Sequence, residues 1–574
     1  MSDMKTIKGE FLSAIEKFSP KKYLASKYIY RSGKEVSISF GEYENAVKRI
    51  AYYLYDVLKV QKGDRIGILS DNRPEWGISY FAINYIGAEI VPIDAKYNIN
   101  EIDFIAENSS LKHIFLSLSQ YDKIVELKSL QKKKSKFILF DDVEIDNDSQ
   151  VYFWNIVNEK TKIDFSKIDE IEIKEDDIAS IIYTSGTTGG AKGVLLSNKN
   201  IISNVFMIIA VSPYVLGDKM LSILPLHHTF ETSVGLLTMF FTGVSNVYIE
   251  LVSPTNIIKT IKNEKINGMV VVPLFISKIY DKIVKEIEKS MVSTYIVKAL
   301  STSAQILKKF GVENSDAKMM SIIKKKAGFE SLKVFFCGAA PMPVDVGVGM
   351  EKFGFCLMQG YGLTEASPVV SVNLPNDNRH GSIGKPLPGV QVRIDNVGVD
   401  GVGEIVVKGD NVMVGYFNDK EATDEVLING ELYTGDLGYI DEDGFIFISG
   451  RSKNILVTSG GKNIYPEAIE EILNKNEFVL ESVVLGMKEK NNNGEIPYAI
   501  IVPDIDAIET VLGSDYKNYT KIQELMQKVV KEVNSELIDF KKIKGYNVSM
   551  EELPKTSTKK IKRYLLKSEI NMIE

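Results

Sequence analysis

The sequence predicts an α/β protein. Residues 1–450 read as a large N-terminal domain of two α/β sheet subdomains plus a small β-barrel-like subdomain, and residues 451–574 as a small α+β C-terminal domain. Three observations predict it. From about residue 30 to 330, short apolar strands alternate with helical patterns, as in largely parallel sheets covered by helices. From about residue 390 to 450 the texture changes to short β segments, VQVRID, GEIVVKG and GFIFISG, separated by Gly, Asp and Asn turns. After the run GRSKN a strand, a glycine turn and a helix begin a new unit, so the boundary falls near Arg451.

The elements follow in order. The N-terminal run MSDMKTIKGEFLSAIEKF is charged throughout, with no continuous apolar core, so it predicts an amphipathic helix rather than a signal peptide. RIGILS, AEIVPI, HIFLSL, KFILF, MLSIL and GMVVVPL predict strands, with a helix over 76–86 and another from about Phe275. The uncharged run 232–249 is interrupted by Gly243 and by Thr, Ser and Asn, and reads as a buried helix followed by a strand rather than a membrane span. The lysine run QKKKSK from Gln131 reads as a solvated turn. The charged stretch 285–328 is helix-forming; packing on the sheet is its expected use, and contact with a membrane surface the alternative. In the last unit ILVTS, VVLGM and YAIIVP predict strands, YPEAIEEIL a helix opened by Pro466, and 521–537 a second helix.

At 574 residues the chain exceeds one ordinary core of roughly 150 residues. A net charge of −7 leaves no excess positive field for a nucleic-acid backbone. Cys337 and Cys356 have neither metal-ligand spacing nor a disulfide framework; both are expected to be buried, and the protein to be cytoplasmic.

The chemistry is densest at residues 183–197, YTSGTTGGAKGVLLS, directly after the apolar run IASII. A strand feeds a flexible loop of Thr184, Ser185, Gly186, Thr187, Thr188 and Gly189, with Lys192 two residues beyond Gly190. Glycines let backbone N–H groups approach a polyanion, hydroxyls add donors and lysine adds a point charge, so the composition suits phosphate. An ordinary surface turn uses the same residues. The loop is not a Walker A motif, because Lys192 lies between Ala191 and Gly193 rather than before Ser or Thr.

Residues 183–189 with Lys192 and Gly193 resemble the phosphate loop of the adenylate-forming (AMP-binding) superfamily, and five further segments resemble it in the same order. In LPLHHTFE, 224–231, His228 aligns with the histidine bordering the substrate carboxylate, and His227 reads as packed. In FFCGAAPM, 335–342, small residues let a planar purine lie on backbone, and the resemblance assigns Gly338, Ala339 and Ala340 to adenine. In QGYGLTE, 359–365, the Tyr361 ring suits stacking on adenine, Thr364 donation to the α-phosphate, and Glu365 ligation of Mg²⁺. In YTGDLG, 433–438, Asp436 offers both oxygens to a ribose, and in GRSKN Arg451 resembles the arginine that binds ribose or phosphate. Lys453 stands at the hinge about which the C-terminal domain rotates, and Asn454 where an acidic residue is common. In LPKTSTKKIKR, 553–563, the resemblance makes Lys560 the catalytic lysine, with Lys559 in place of the usual glycine. The turn SGGKN, 459–463, resembles a segment lining the CoA channel.

The resemblance implies ATP, Mg²⁺ and CoA as cofactor and co-substrates, and a fatty acid as substrate, with the nearest likeness to bacterial long-chain fatty acyl-CoA synthetases. A carboxylate would attack the α-phosphorus of ATP, and the mobile C-terminal domain would then turn to present CoA. Other acids, aryl or medium-chain, or a carrier-protein acceptor are the alternatives within this class. A nucleotide-binding regulator without turnover is the alternative outside it, against which the lysine at 560 counts.

Overall fold

The computed structural model describes residues 6–132, 135–143, 150–185, 191–288, 324, 328–488, 494–555 and 561–570. The chain forms two compact units. The first comprises Met1–Thr184, Ala191–Gln391 and Lys408–Leu432; the second is built from Val392–Val407 and from Tyr433 onward. Residues 433–450 thus group with those that follow them, whereas the sequence division cuts at 450/451.

The first unit holds two large sheets. One has nine strands, and six of them run parallel through its centre: Leu24–Ile29, Ser245–Ile249, Lys219–Leu221, Gly268–Val271, Val334–Cys337 and Leu357–Gly362. Antiparallel strands Glu35–Ser39 at one edge, and Val369–Val372 with Lys385–Pro386 at the other, complete it. The other sheet has eight strands, in the order Gly415–Tyr416, Ala191–Ser197, Ile178–Ser185, Glu89–Ile93, Arg65–Leu69, His113–Leu116, Phe137–Leu139 and Gln150–Tyr152. The apolar runs read from the sequence supply the central strands because a parallel strand covered on both faces needs continuous hydrophobicity.

Helix Ile7–Phe18 buries Ile7, Phe11, Ala14, Ile15 and Phe18, spaced three and four apart, and Thr6 caps it by accepting from Gly9 N–H. Phe11 packs on Phe81 and Phe240. Helix Pro74–Tyr85 is buried on every side, as its nearly uniform apolarity requires. The run 232–249 is a buried π-helical turn, Glu231–Leu237, helix Thr238–Thr242, and strand Ser245–Ile249. Among the described residues no helix is long and apolar enough to cross a membrane. Most of 285–328 lies outside the described residues.

In the second unit, strands Gln391–Asp395, Gly403–Lys408, Glu431–Ile440 and Ile446–Arg451 lie side by side in that order. Three further strands follow: Val479–Lys488, Glu495–Pro503 antiparallel to it, and Gly545–Val548 parallel to the second. Helices Pro466–Leu473 and Tyr519–Glu536 close over them through Ile469, Leu473, Ile522, Met526 and Val529. The predicted strand ILVTS shortens to Leu456–Val457, paired with Asn463–Ile464, because the glycine turn follows at once, Gly461 taking φ +73°. Of the cysteines Cys337 is buried and Cys356 only half-buried, so the expectation of two buried thiols fails at Cys356.

Candidate active site

Ile178–Ser185 and Ala191–Ser197 are adjacent strands, so the glycine-rich run lies between neighbouring strand ends. Gly186, Thr187, Thr188 and Gly189 lie outside the described residues. Thr184 Oγ1 donates to Lys192 O at 3.4 Å. Lys192 Nζ stands 5.1 Å from the centre of the Tyr416 ring, and Tyr416 OH donates to Glu365 Oε1 at 2.9 Å. Lys192 and Glu365, 173 positions apart in sequence, are thereby joined through one tyrosine. Two backbone bonds fix this arrangement: Phe417 N–H to Gly193 O at 2.7 Å, and Met413 N–H to Glu365 O at 2.8 Å. A side chain at Gly193 would meet Ile181 at 2.9 Å, so the approach needs glycine. Tyr416 was missed by the sequence reading; its only signal is that it is one of two adjacent aromatics in VGYFN, without a motif around them.

Three of the other motifs, 224–231, 335–342 and 359–365, lie at or beyond the carboxyl ends of parallel strands, where open α/β sheets bind ligands. Strands Val334–Cys337 and Leu357–Gly362 pair with Cys337 opposite Gln359. A Cβ on Gly338 would lie 3.2 Å from both Gly360 O and Phe230 Cζ, so three of the predicted segments meet there. Ala339 follows at φ +71°, a left-handed conformation that costs a non-glycine residue about 1–2 kcal/mol; Ala340 is exposed. Tyr361 pairs with Ser371 across the antiparallel edge and is half-buried. Thr364 and Glu365 form a short 3₁₀ turn, held where Asn411 Nδ2 donates to Ala366 O at 2.9 Å.

The turn bearing His227 and His228 is braced by Asn72. Its Nδ2 donates to Leu224 O at 2.6 Å and to Ser222 Oγ at 2.9 Å, and its Oδ1 accepts from Leu226 N–H at 2.9 Å. Ser222 Oγ in turn donates to Glu231 Oε1 at 2.5 Å. Glu231 is wholly buried, and burial pushes its carboxyl up to about 8, Ser222 opposing only in part. His227 is buried as predicted, and His228 is half-buried beside it with ring centres 4.1 Å apart. Asp94, just past strand Glu89–Ile93, faces them: its Oδ2 is 3.5 Å from His227 Nε2. Sequence reasoning missed Asn72 and Asp94; their signal is position, each lying within three residues of a parallel strand's carboxyl end.

In the second unit Asp436 and Arg451 are cross-strand partners. Arg451 Nε lies 2.6 Å from Asp436 Oδ1, and its Nη2 donates to Oδ2 at 3.3 Å, a two-point pairing that fixes both groups. Asp436 is buried and Arg451 exposed. Lys453 is exposed in the 3₁₀ turn Ser452–Asn454, and Asn454 Nδ2 donates to Glu467 Oε1 at 2.7 Å. Farther along, Tyr465 OH donates to Asp400 Oδ2 at 2.9 Å. Lys555 and Ile561 form an antiparallel bridge, and Arg563 anchors the following helix through Glu470 at 2.5 Å. Lys559 and Lys560 lie outside the described residues.

This convergence of a glycine-bounded lysine, a strand-end acid and a histidine turn over two parallel sheets defines an adenylate-forming enzyme. Comparison with known proteins agrees. The family profile described as AMP-binding enzyme matches residues 17–417, and that of the AMP-binding enzyme C-terminal domain matches 468–560. The chain belongs to the AMP-binding enzyme family. It is 30% identical over 541 residues to a long-chain-fatty-acid–CoA ligase of Bacillus subtilis, covering 89% of this chain and 86% of that one. It is 27% identical over 563 residues to a probable 4-coumarate–CoA ligase of Dictyostelium discoideum, covering 93% and 92%. The o-succinylbenzoate CoA synthetase of Bacillus subtilis, solved with its acyl-adenylate intermediate, superposes with a TM-score of 0.73 at 25% identity, covering 97% and 98%. The named relatives are acid–CoA ligases acting on different acids.

Proposed function

We propose that the protein activates a long-chain fatty acid with ATP to an acyl-adenylate and then transfers the acyl group to CoA. The observation carrying the choice of acid is the 30% identity over 541 residues to a long-chain-fatty-acid–CoA ligase of Bacillus subtilis; beside Gly360 the apolar side chains of Ile208, Val211, Phe230, Val234, Met358 and Val369 enclose a void of only about water size.

In the first step a carboxylate oxygen bonds to the α-phosphorus as the bond to pyrophosphate breaks. Negative charge grows on phosphoryl oxygens, so fixed cations and donors are what the site must provide. Lys192 supplies one cation, Thr364 a hydroxyl donor, and Lys560 the second cation. Tyr361 and the Gly338–Ala339–Ala340 turn hold adenine, Asp436 and Arg451 hold ribose, and His228 orients the substrate carboxylate. Glu365 fits the Mg²⁺ that the family implies, being a half-buried carboxylate whose orientation Tyr416 fixes; such ions take one or two carboxylates plus substrate phosphates. When bound, Mg²⁺ neutralises phosphate charge. In the second step the domain from Arg451 onward turns about Lys453, the CoA sulfur bonds to the acyl carbon, and AMP leaves.

The test is carboxylate-dependent ATP–pyrophosphate exchange with acids from acetate to oleate, benzoate and coumarate, followed by CoA. Exchange peaking with long chains, then acyl-CoA, is expected. A peak with coumarate or benzoate replaces the fatty acid by an aryl acid, and exchange without CoA acylation replaces CoA by a carrier protein. No exchange with any acid, in protein that binds ATP, leaves a regulator. In Lys560→Ala, exchange is lost while thioester formation from supplied acyl-adenylate persists; unimpaired exchange removes Lys560 from the first step.

A further inference from the structure

We propose that Asp94, His227 and His228 form a binding site for one divalent transition-metal ion of the zinc type. One ligand atom from each lies within 4.8 Å of the other two. The inner pair is the stronger argument. His227 Nε2 is sealed from solvent and makes no hydrogen bond among the described residues, although Asp94 Oδ2 stands 3.5 Å away. That gap is long for a hydrogen bond, which prefers about 2.7–3.2 Å. It suits two ligands of a shared ion: atoms about 2.1 Å from a tetrahedral centre stand about 3.4 Å apart.

The surroundings are built for ligation. Asp94 Oδ1 accepts from Lys96 N–H at 2.9 Å, which orients the carboxylate with its other oxygen toward His227. The histidine turn is held from behind by Asn72 and by the bond from His228 N–H to Pro225 O at 3.1 Å. His227 and Asp94 are fixed by burial, and His228 is half-buried beside them. Two imidazoles and one carboxylate form a borderline donor set. Such a set prefers Zn²⁺, Co²⁺ or Ni²⁺ to Mg²⁺, which takes oxygen ligands and keeps its waters. Three protein ligands leave a fourth position open to solvent or a small anion. The site rests on these three side chains; His228 is shared with the reaction proposed above, so an ion held there would compete with the substrate carboxylate for it, whereas Asp94 and His227 have no role in that reaction.

The test uses the full chain, stripped with EDTA, dialysed without nucleotide, and titrated with Zn²⁺ alone and separately with Co²⁺. Equilibrium dialysis is expected to give one tightly held Zn²⁺ per chain, and the Co²⁺ form the visible bands of a tetrahedral ion. Asp94→Asn and His227→Gln should each weaken Zn²⁺ binding about 10-fold or more. X-ray absorption on the Zn²⁺-loaded wild type needs no variant and should show two imidazoles with oxygen. It is diagnostic because the chain has four histidines, and His113 and His380 are distant from this turn in sequence and from each other. The absence of stoichiometric Zn²⁺, a sulfur or imidazole-free shell, or affinity unchanged in both variants overturns the site.

Discussion

Glu231 and Glu365 place the same carboxyl group in opposite settings within one compact unit. Glu365 is half-buried on a short turn, its Oε1 held by the Tyr416 hydroxyl and its neighbourhood open to Lys192. Glu231 is sealed in the core on a π-helical turn, with Ser222 as its hydrogen-bond donor and its Oε2 unpartnered among the described residues. The difference teaches that both acids end recognisable motifs, yet only the one left near solvent can carry a charge toward a cation. The other is held neutral by its surroundings and serves as a brace for the histidine turn.

The largest expected effect breaks the first setting. Glu365→Ala should lower Mg²⁺-dependent exchange by about 100-fold or more while leaving the thermal midpoint within a few degrees. Unchanged metal dependence would show that another residue holds the ion. Next, Glu231→Ala should destabilise the protein by about 2–4 kcal/mol, since it opens a cavity and strips Ser222 of its acceptor. A urea midpoint equal to wild type would deny Glu231 its bracing role.

Glu231→Gln sharpens the comparison through pH. The folded-state value of about 8 lies above the ordinary 4.5, so the folded chain keeps a proton that the unfolded chain releases. Wild type therefore loses stability from this group as pH rises from about 4.5 to 8, by on the order of 1 kcal/mol per unit, and the loss levels off above. The Gln variant lacks that slope, so its advantage in urea unfolding should grow across this window; parallel profiles would mean that Glu231 ionises normally. The smallest effect is Tyr416→Phe, which keeps the ring under Lys192 and removes one hydrogen bond. Exchange should fall about 3–10-fold, with most of the change in the Mg²⁺ concentration needed. A loss as large as that of Glu365→Ala would make the hydroxyl a participant in its own right.

Much of the fold was legible because parallel strands buried on both faces need unbroken apolar runs, and RIGIL, GMVV and VFFC have them. The motif residues were legible for a different reason: glycine, threonine and acid clusters have few uses in such order. Tyr416, Asn72 and Asp94 were not legible. Each reaches its partner across 51 positions or more, and nothing local distinguishes such a residue from one that merely fills a surface. Strand ILVTS shrank for a local reason, because two glycines end the pairing before propensity can extend it.

The hydrogen bond from Tyr465 to Asp400 has a mechanical consequence. These residues lie on either side of Lys453 in the chain, so a swing about that residue that separates them must part the bond. It is an exposed contact worth about 1 kcal/mol, a factor of only about five in any equilibrium that breaks it. Should the proposed turn about Lys453 separate these residues, so light a contact would act as a detent, giving one orientation a preferred resting place that thermal motion alone can release.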